Sequence, residues 1–316
     1  MRMNIAYACN EAYLEQTMVS LTSLFENNKD TAEIHVYFID MGVTNEGTKE
    51  LKNLAASYNG CLEVVPFNSI AYDLNVKDTG RHIQSVYAKL FFGRIKEIDK
   101  ILYLDSDIII ASTLKPLWEM DLGNCVCAGV ETIHTLKDNE IMGLTRDDRA
   151  INDGMLLMNL VAWREGDYLN KCLHYIELYD GKPPVLSEGT INNVCRGKIK
   201  ILDPRYNLMS AIVGANAKKI MTITGRNYYS QKTIDDATEN PVIIHYLSGF
   251  FNRPWCKECN HPLKNEYLKY RAMTRWANAP LSEKKLPIRL KAIGFLYNNL
   301  PGKVFVKIRK YVGAKA

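Results

Sequence analysis

The sequence predicts an α/β protein with one mostly parallel sheet, followed by a small helical and basic C-terminal tail. Two observations lead to this fold class. Between residues 4 and 104, short runs of β-branched and aromatic residues alternate with segments of helical spacing, which is the pattern of βαβ units. The chain has 316 residues and the composition of an ordinary globular protein, so it can bury a substantial core.

The predicted elements follow one another in chain order. Runs such as HVYFI predict strands, and apolar residues recurring every three to four positions predict helices. The predicted strands are residues 4–8, 34–39, 61–66 and 101–104, with shorter ones near 125–130 and 154–157. The predicted helices are residues 14–25, 44–58, 86–95 and 168–179. Thr44 is the expected N-cap of the second helix, and Asn59-Gly60 marks its end.

The net charge of +5 is concentrated in the tail. Residues 282–316 hold nine Lys or Arg and one acid, a net +8, which leaves −3 for residues 1–281. A general nucleic-acid-binding surface is therefore not expected. Helical spacing places apolar residues on one face of residues 288–300 and of residues 303–312, with lysines opposite in the second segment. Such helices lie on anionic membranes, so we expect peripheral membrane contact; the alternative is a helix packed on the main domain with a solvated basic face.

The N-terminus lacks the long apolar stretch of a secretory signal, and no apolar run reaches transmembrane length. We therefore expect a cytoplasmic protein, peripheral on the inner face of the cytoplasmic membrane, whose eight cysteines are free thiols. Cys256 and Cys259, with His261 close by, form half of a zinc pattern. Because no second cysteine pair lies at a useful spacing, we interpret them as loop thiols.

The segment KILYLDSDIII, residues 100–110, carries Asp105 and Asp107 at the end of an apolar strand. Burying two carboxylates without a partner costs free energy. Side chains at i and i+2 of an extended segment share a face, so both can point into one crevice. Mg²⁺ or Mn²⁺ takes oxygen ligands and would offset this cost. The alternative is that the two aspartates cap the following turn or pair with a nearby Lys or Arg.

Three polar segments should meet at one edge of the predicted sheet, because open α/β sheets bind ligands beyond the carboxyl ends of their strands. The first is the loop of residues 8–13 after the first strand, and the second is Asp-Ser-Asp at residues 105–107. The third is the polar break at residues 245–255, which follows the apolar residues 241–244.

Six stretches stand in an order and spacing typical of one enzyme family. They are NIAYACNEAYLEQTMVSLTSL, YAKLFFGRI, DKILYLDSDIII, LKPLWEMDL, INDGMLLMNLVAW and IIHYLSGFFNRPW. On these stretches the chain resembles glycosyltransferase family 8, which contains bacterial lipopolysaccharide galactosyl- and glucosyltransferases and the glycogenins. The resemblance implies a Rossmann-like, nucleotide-sugar-binding domain of the GT-A type at residues 1–262 and a helical, basic region at residues 263–316.

The resemblance implies a metal centre with a UDP-sugar bound to it. Asp105 and Asp107 match the family's Asp-x-Asp pair, which binds Mn²⁺ (or Mg²⁺) and through it the diphosphate, and Ser106 between them is assigned to the same donor site. His245 matches the third metal ligand, although a lone histidine is more often structural. Imidazole is an acceptable ligand for Mn²⁺.

Other matched positions are implied to bind the donor. Ala8, Asn10 and Tyr13 match the loop that cradles uridine; Asn10 stands where an Asp is common and can still bind the uracil edge, while Tyr13 could instead pack on the sheet. Lys89 stands where the family often has Arg, beside donor phosphate or sugar. Because Arg and Lys differ in bidentate contacts, a solvated lysine is the alternative there. Asn152 matches a loop that touches the donor sugar.

Several positions depart from the family pattern. Asp153 could bind a sugar hydroxyl or could be an exposed turn residue without a role in binding. Glu188 is expected to bind sugar hydroxyls. Gly189 stands where a Gln is often found and has no side chain that could attack the donor. Gly249 keeps the glycine of the late motif. Arg253 takes the lysine position beside the leaving diphosphate; its alternative is a packed surface turn with a cation–π contact to Trp255.

The implied function is hexosyl transfer with retention, from UDP-galactose or UDP-glucose to a hydroxyl of a cell-surface glycan or glycolipid. Asp153 and Glu188 remain the candidate nucleophiles of a double displacement. We prefer same-face substitution, in which the metal and Arg253 stabilise the departing diphosphate. The alternatives are a nucleotide-sugar-binding protein without turnover and a glycogenin-like self-glucosylating protein. A haloacid-dehalogenase-type phosphatase fits less well, because its Asp-x-Asp usually lies on the first strand.

Overall fold

The protein's computed structural model describes residues 2–31, 33–77, 83–247 and 251–313. Its strands are β1 Arg2–Cys9, β2 Glu33–Asp40, β3 Cys61–Pro66, β4 Lys100–Leu104, β5 Ile108–Ile110, β6 Cys127–Gly129, β7 Met155–Asn159, β8 Ile199–Ile201, β9 Leu208–Met209 and β10 Ile243–His245. Its α-helices are α1 Leu14–Glu26, α2 Asn45–Ser57, α3 Phe67–Ile70, α4 Ile83–Val86, α5 Lys115–Trp118, α6 Leu136–Ile141, α7 Leu160–Glu165, α8 Tyr168–Leu178, α9 Leu186–Val194, α10 Ala217–Thr224, α11 Gln231–Glu239, α12 Lys264–Arg271, α13 Ile288–Asn299 and α14 Gly302–Gly313. Segments of 3-10 helix are Glu11–Tyr13, Ala88–Arg94 and Pro204–Asn207.

The central sheet has seven strands in the order β3-β2-β1-β4-β7-β6-β8. Strands β3, β2, β1 and β4 run parallel to one another, as β6 and β8 do, whereas β7 runs antiparallel to both β4 and β6. A second sheet has the order β5-β10-β9, with β10 antiparallel to β5 and parallel to β9. The predicted α/β class with a mostly parallel sheet is confirmed.

Both faces of the central sheet are buried. In β1, Met3, Ile5 and Tyr7 belong to one hydrophobic core, while Ala6 and Ala8 belong to the core on the opposite face. Alternate residues of a strand point to opposite faces, so a sheet covered on both sides needs apolar residues at every position. This arrangement explains why the strands of the sequence are near-continuous apolar runs.

Most predicted helices are present, and one differs in type. Thr44 caps α2 by accepting a hydrogen bond from the Gly47 amide at 3.1 Å, and Asn59 beyond its end has a φ of 55°. Over residues 86–95, however, α4 ends at Val86 and a 3-10 segment follows. Residues 88–93 are all buried, so this segment contacts the core on every side and does not form the one-faced helix that the spacing predicted.

The C-terminal helices pack on the main body of the protein. The Arg271 guanidinium of α12 lies 2.7 Å from Glu15 of α1, and Tyr297 and Phe305 of α13 and α14 pack against Ile223 of α10. A boundary at residue 262 stays a prediction. All eight cysteines are free thiols, as expected. In the portions of the chain that the structure describes, no helix is long and apolar enough to cross a membrane.

Candidate functional site

Strand pairing brings two predicted metal ligands together where the two sheets meet. β5 begins directly after Asp107, and β10 ends at His245. These strands run antiparallel with Ile108 opposite His245, and the Tyr246 amide donates to the Asp107 carbonyl at 3.0 Å. Asp105, Asp107 and His245 each offer one ligand atom, and these atoms lie within 4.8 Å of one another. The structure therefore assembles the three residues that the motifs singled out.

Each of the two carboxylates accepts a hydrogen bond from a side-chain donor on one oxygen, and its other oxygen faces His245. Asp105 Oδ1 accepts a hydrogen bond from the Tyr103 hydroxyl at 2.5 Å, and its Oδ2 lies 3.8 Å from His245 Nε2. Asp107 Oδ2 is bound by the Arg253 guanidinium, and its Oδ1 lies 3.0 Å from the same Nε2. One oxygen of each aspartate thus faces the imidazole.

The protonation states of two groups in this cluster follow from their surroundings. Burial raises the pKa of the Tyr103 phenol well above its usual range, and the charge of Asp105 adds to the effect. Burial also raises the pKa of Asp107, but Arg253 and His245 outweigh it and hold that pKa below its usual range. Tyr103 is therefore a hydrogen-bond donor and Asp107 a carboxylate at neutral pH.

The donor set fits a divalent cation. Two carboxylates and one imidazole suit Mn²⁺, and Mg²⁺ shares the preference for oxygen. Gly154 lies against the same cluster: a Cβ there would be 2.4 Å from His245 Cε1 and 2.6 Å from Asp105 Oδ2. A side chain at this position would displace the ligands. Among the described residues, Asp105, Asp107 and His245 form the one such group able to hold a metal.

A polar chain continues behind the histidine. His245 Nδ1 lies 2.9 Å from Asn207 Oδ1, and Asn207 Nδ2 donates to Asn152 Oδ1 at 2.9 Å. Asn152 Nδ2 donates in turn to Glu188 Oε2 at 2.9 Å. The 3-10 segment that ends at Asn207 leads into β9, which pairs with β10, so the second sheet positions this residue.

A pocket of about 180 Å³ opens beside the two aspartates. Its lining residues are Ala8, Cys9, Asn10, Tyr13, Ser85, Val86, Tyr103, Asp105, Ser106 and Asp107. The structure thus brings the loop after β1 to the Asp-Ser-Asp segment, as the sheet-edge argument predicted. The Ser106 hydroxyl accepts a hydrogen bond from Thr17 of α1 at 2.9 Å, and its assignment to a donor site stays a prediction.

Lys89 is buried beside the aspartates, so the alternative of a solvated helix lysine is wrong. Its ammonium lies 2.9 Å from Asp153 Oδ2, donates to the Asp153 carbonyl at 2.8 Å and is 4.0 Å from Asp105 Oδ1. It also lies 4.5 Å from the centre of the Tyr103 ring. A buried ammonium needs such partners, because its desolvation is otherwise uncompensated.

The two candidate nucleophiles are both engaged by other side chains. Asp153 accepts from the Ser187 hydroxyl at 2.5 Å on the oxygen that faces Lys89. Glu188 Oε1 lies 2.6 Å from His134 Nε2, and its other oxygen faces Asn152. Burial lowers the pKa of His134, but the hydrogen bond and charge of Glu188 outweigh it and raise that pKa above its usual value. The catalytic assignments of Asp153 and Glu188 stay predictions.

Gly189 is fixed by a close backbone approach. A Cβ on this residue would lie 1.9 Å from the Pro184 carbonyl oxygen. No side chain is compatible with this packing of α9, so the absence of a Gln-like group here is built into the local structure.

Arg253 makes the cation–π contact of the packed-turn alternative, and its assignment beside the leaving diphosphate stays a prediction. It contacts Asp107 and donates to the Tyr246 carbonyl, and its guanidinium also lies 5.2 Å from the Trp255 ring centre. Gly249 lies outside the described residues. The cysteine pair of residues 256 and 259 forms no metal cluster within the described chain, and Cys259 donates to the Asn252 carbonyl at 3.1 Å.

Four residues that contact the site were not predicted from the sequence: Tyr103, His134, Ser187 and Asn207. Tyr103 and Ser187 are each close in sequence to predicted site residues, so their positions could have been used to predict them. His134 and Asn207 stand in segments without a recognisable pattern, and only the fold brings them to the site.

The mostly parallel sheet, with a second small sheet completing a carboxylate–histidine cluster at its edge, matches the GT-A fold of glycosyltransferases such as LgtC. The chain belongs to glycosyl transferase family 8, whose family model matches residues 4–259.

Two curated relatives and one solved structure illustrate the similarity. General stress protein A of Bacillus subtilis (strain 168) is 23% identical over 278 residues, which are 87% of this chain and 94% of the relative. A lipopolysaccharide 1,2-glucosyltransferase of Escherichia coli (strain K12) is 23% identical over 274 residues, 84% of this chain and 76% of the relative. The galactosyltransferase LgtC, solved with donor and acceptor sugar analogs, superposes with a TM-score of 0.69 at 21% identity, covering 92% of this chain and 99% of that chain.

Proposed function

We propose that the protein is a retaining, Mn²⁺-dependent hexosyltransferase that moves galactose or glucose from a UDP-sugar to a hydroxyl of a cell-surface glycan or glycolipid. One observation carries this proposal: Asp105, Asp107 and His245 converge beside the pocket lined by Ala8, Asn10 and Tyr13. A cation held there would lie next to a pocket in which a nucleotide can bind. The transferase domain would span residues 1–262, with residues 263–316 as a helical, basic region.

The donor would lie along this edge of the sheet. Uridine would occupy the pocket beside Asn10 and Tyr13, and the diphosphate would lie at the aspartates. Ser106 and Gly249 are the further residues that the family motifs assign to the donor. The hexose would then reach Lys89, Asn152, Asp153 and Glu188. This placement is supported by the Lys89–Asp105 separation of 4.0 Å, which joins the metal cluster to the Lys89–Asp153 pair.

Same-face substitution suits the two carboxylates better than double displacement does. The oxygen of Asp153 that faces Lys89 also accepts from Ser187, and both oxygens of Glu188 are occupied by His134 and Asn152. Donors that stabilise a carboxylate lower its nucleophilicity, because attack would give up those contacts. The acceptor hydroxyl would therefore attack from the face that the diphosphate leaves, and a phosphate oxygen would take its proton.

The main requirement of this route is that negative charge on the departing diphosphate is stabilised. Mn²⁺, bound by Asp105, Asp107 and His245, would supply Lewis-acid stabilisation. Arg253 contacts Asp107, so its guanidinium stands beside the proposed diphosphate position and would stabilise negative charge as it develops. Tyr103 and Lys89 would hold Asp105 in place from behind.

Helix α13 would bring the protein to a membrane-bound acceptor by contacting the membrane surface. The apolar face that the sequence assigned to the membrane packs partly on α10 instead. Ile288 and Phe295, which lie two turns apart on α13, are nevertheless 85% and 68% exposed. Arg289 and Lys291 lie in the first turn beside them. This combination supports peripheral contact with the inner face of the cytoplasmic membrane.

The test is an NMR time course with UDP-galactose and, separately, UDP-glucose, each with and without Mn²⁺. We expect one donor to release its sugar as the α-anomer, with the rate lost in Asp107→Asn and retained in Asp30→Asn, an exposed carboxylate after α1. Release of the β-anomer before mutarotation would overturn retention. Donor binding without release would favour a binding protein, and a mass increment on the protein would favour self-glucosylation.

A further inference from the structure

We infer that His134 is a positioning residue of the donor-sugar site: as an imidazolium it holds one oxygen of Glu188, so that the other oxygen stays fixed against Asn152. The consequence for donor binding rests on the proposed function, in which the hexose reaches Glu188 and Asn152. The hold of His134 on Glu188 rests on their own contact.

Both nitrogens of the His134 ring face carboxylate oxygens. Nε2 lies 2.6 Å from Glu188 Oε1, and Nδ1 lies 3.9 Å from Asp138 Oδ2. A carboxylate accepts hydrogen bonds and does not donate them, so Nε2 carries a proton. A proton on Nδ1 is favoured by the negative charge of Asp138. The two contacts therefore favour the same state of the ring, with both nitrogens protonated.

The charges around His134 come from three elements of the fold. Glu188 lies in the first turn of α9, Asp138 in the first turn of α6, and Arg226 in the loop after α10. Burial and the charge of Arg226 lower the pKa of His134, but Glu188 and Asp138 outweigh them and raise that pKa above its usual value. The positive charge is present below the raised pKa and is lost as the pH rises through it.

Glu188 passes this hold on to the loop that precedes β7. Its Oε2 accepts a hydrogen bond from Asn152 Nδ2 at 2.9 Å. The adjacent Ile151 is fixed separately, because the Asn192 side chain of α9 accepts from the Ile151 amide at 2.7 Å and donates to the Ile151 carbonyl at 2.8 Å. A change at His134 should therefore affect the Asn152 side chain and leave the loop backbone in place.

The charge on the ring strengthens the contact by a measurable amount. The side chains of His134 and Glu188 are only 17% and 13% exposed, so water competes little for their hydrogen bond. A charge-assisted hydrogen bond is roughly twice as strong as a neutral one, which corresponds to about a fivefold change in an equilibrium constant. A neutral ring would still donate from Nε2 but would hold Glu188 less firmly.

The first experiment follows the full chain without donor or metal by NMR as the pH is raised. His134→Gln keeps a neutral donor near the position of Nε2 and cannot gain a proton, and Glu188→Gln removes the charge that holds the proton. His174→Gln is the matched control, because His174 is exposed on α8 and lies 3.9 Å from Glu177. Circular dichroism checks the fold of each variant.

We expect His134 to titrate above its usual pKa in wild type and at a lower pH in Glu188→Gln. The side-chain amide signal of Asn152 should shift together with the titration of His134 in wild type and in His174→Gln, and should not shift there in His134→Gln. If His134 titrates at the same pH in wild type and Glu188→Gln, or if the Asn152 signal does not respond to it, the inference is overturned.

The second experiment measures the KM of the UDP-sugar for wild type and His134→Gln on both sides of the His134 pKa that NMR gives. Below that pKa, His134→Gln should have a KM about fivefold higher than wild type, and above it the two values should converge. The difference should lie in KM and not in kcat, because Glu188 is proposed to bind the donor before the reaction. The ratio of the two proteins cancels the titration of the donor and of all other groups.

Failure of the proposed function is distinguishable from failure of this inference. If neither UDP-galactose nor UDP-glucose turns over, the hexosyltransferase proposal fails, and the NMR titrations still decide whether His134 fixes Glu188 and Asn152. If turnover occurs and the KM ratio does not change with pH, the proposed function stands and the role of His134 in donor binding is overturned.

Discussion

Gly154 and His245 are packed so closely that a Cβ on the glycine would lie 2.4 Å from Cε1 of the imidazole. The same Cβ would lie 2.6 Å from Asp105 Oδ2, so a methyl group would intrude between two proposed metal ligands. The glycine of the NDG sequence is thus explained by the space that the cluster needs.

Gly154→Ala should therefore weaken Mn²⁺ binding about 10- to 100-fold, as displacement of ligand geometry typically does. Isothermal titration of the purified variant measures this. Gly123→Ala is the control: nothing lies within 4 Å of its Cβ, so the added methyl group meets no ligand, although its φ of 54° strains the backbone of an alanine as Gly154 does not. Mn²⁺ affinity equal to wild type in Gly154→Ala would contradict the packing argument.

Lys89 and Asp153 form a buried ion pair with N–O distance 2.9 Å, and removing one partner leaves the other charge unpaired. Lys89→Met should reduce the free energy of unfolding by about 3–5 kcal/mol. Adding Asp153→Asn should recover part of this loss, because it removes the stranded charge. Urea denaturation of the wild type, the single variants and the double variant measures the coupling; a strictly additive double variant would show that the pair does not interact.

The fold was accessible from the sequence because it depends on local pattern. Strand runs predicted the sheet, and the sheet-edge argument predicted that residues 105–107 and 245–255 would meet. The choice of His245 as the third metal ligand came from the family resemblance, and the structure places it with Asp105 and Asp107. The burial of Lys89 was not accessible, because its counter-charge Asp153 is 64 residues away in a loop.

Asn207 and His134 could not be predicted for a related reason. Asn207 bonds to residues 38 and 55 positions away, and His134 bonds to a residue 54 positions away. Neither stands in a periodic or motif-bearing segment. Residues 88–94 form a 3-10 segment and not an α-helix, and this segment is buried on all sides. Hydrophobic periodicity predicts helices with one buried face, so it could not predict this segment.

The backbone contact of Gly189 leads to a prediction about the family's usual Gln. Gly189→Gln should not create a nucleophile but should destabilise the protein by at least about 1–3 kcal/mol, because its Cβ would overlap the Pro184 carbonyl oxygen at 1.9 Å. Thermal unfolding measures the loss. Gly197→Gln is the control for backbone strain: its φ of 73° strains any side chain, but nothing lies within 4 Å of its Cβ, so the loss there should be smaller. A Gly189→Gln variant as stable as wild type would contradict the close packing of α9 against the Pro184 carbonyl.

The exposed face of α13 provides a test of membrane contact. The double variant Ile288→Ser/Phe295→Ser should bind anionic phosphatidylglycerol vesicles roughly tenfold more weakly or worse, since burying one such side chain is worth about 1.5–3 kcal/mol. Cosedimentation measures the partition coefficient. Leu178→Ser, which removes an equally exposed apolar side chain on α8, should bind as wild type does. Equal binding by the double variant would remove α13 from the proposed membrane contact.

The ring of His261 is held neutral by the fold. Its Nδ1 accepts a hydrogen bond from the Leu263 amide at 3.1 Å, which leaves Nε2 as the donor to the Ser210 hydroxyl at 3.1 Å. Burial lowers the pKa of His261 to about 4, because a charged imidazole would be desolvated and would lose the Leu263 bond.

The low pKa of His261 makes stability depend on pH in a defined direction. Between the unfolded pKa of about 6.5 and the folded value of about 4, the unfolded chain binds more protons, so stability falls as the pH falls through this window. The difference in unfolding free energy between wild type and His261→Gln should shift against wild type by about 3 kcal/mol from pH 7 to pH 4. Urea denaturation at both pH values measures it, and comparison with the variant cancels the titration of all other groups. A difference that stays constant with pH would mean that His261 titrates alike in the folded and unfolded states, and that its buried hydrogen bonds do not exclude the proton.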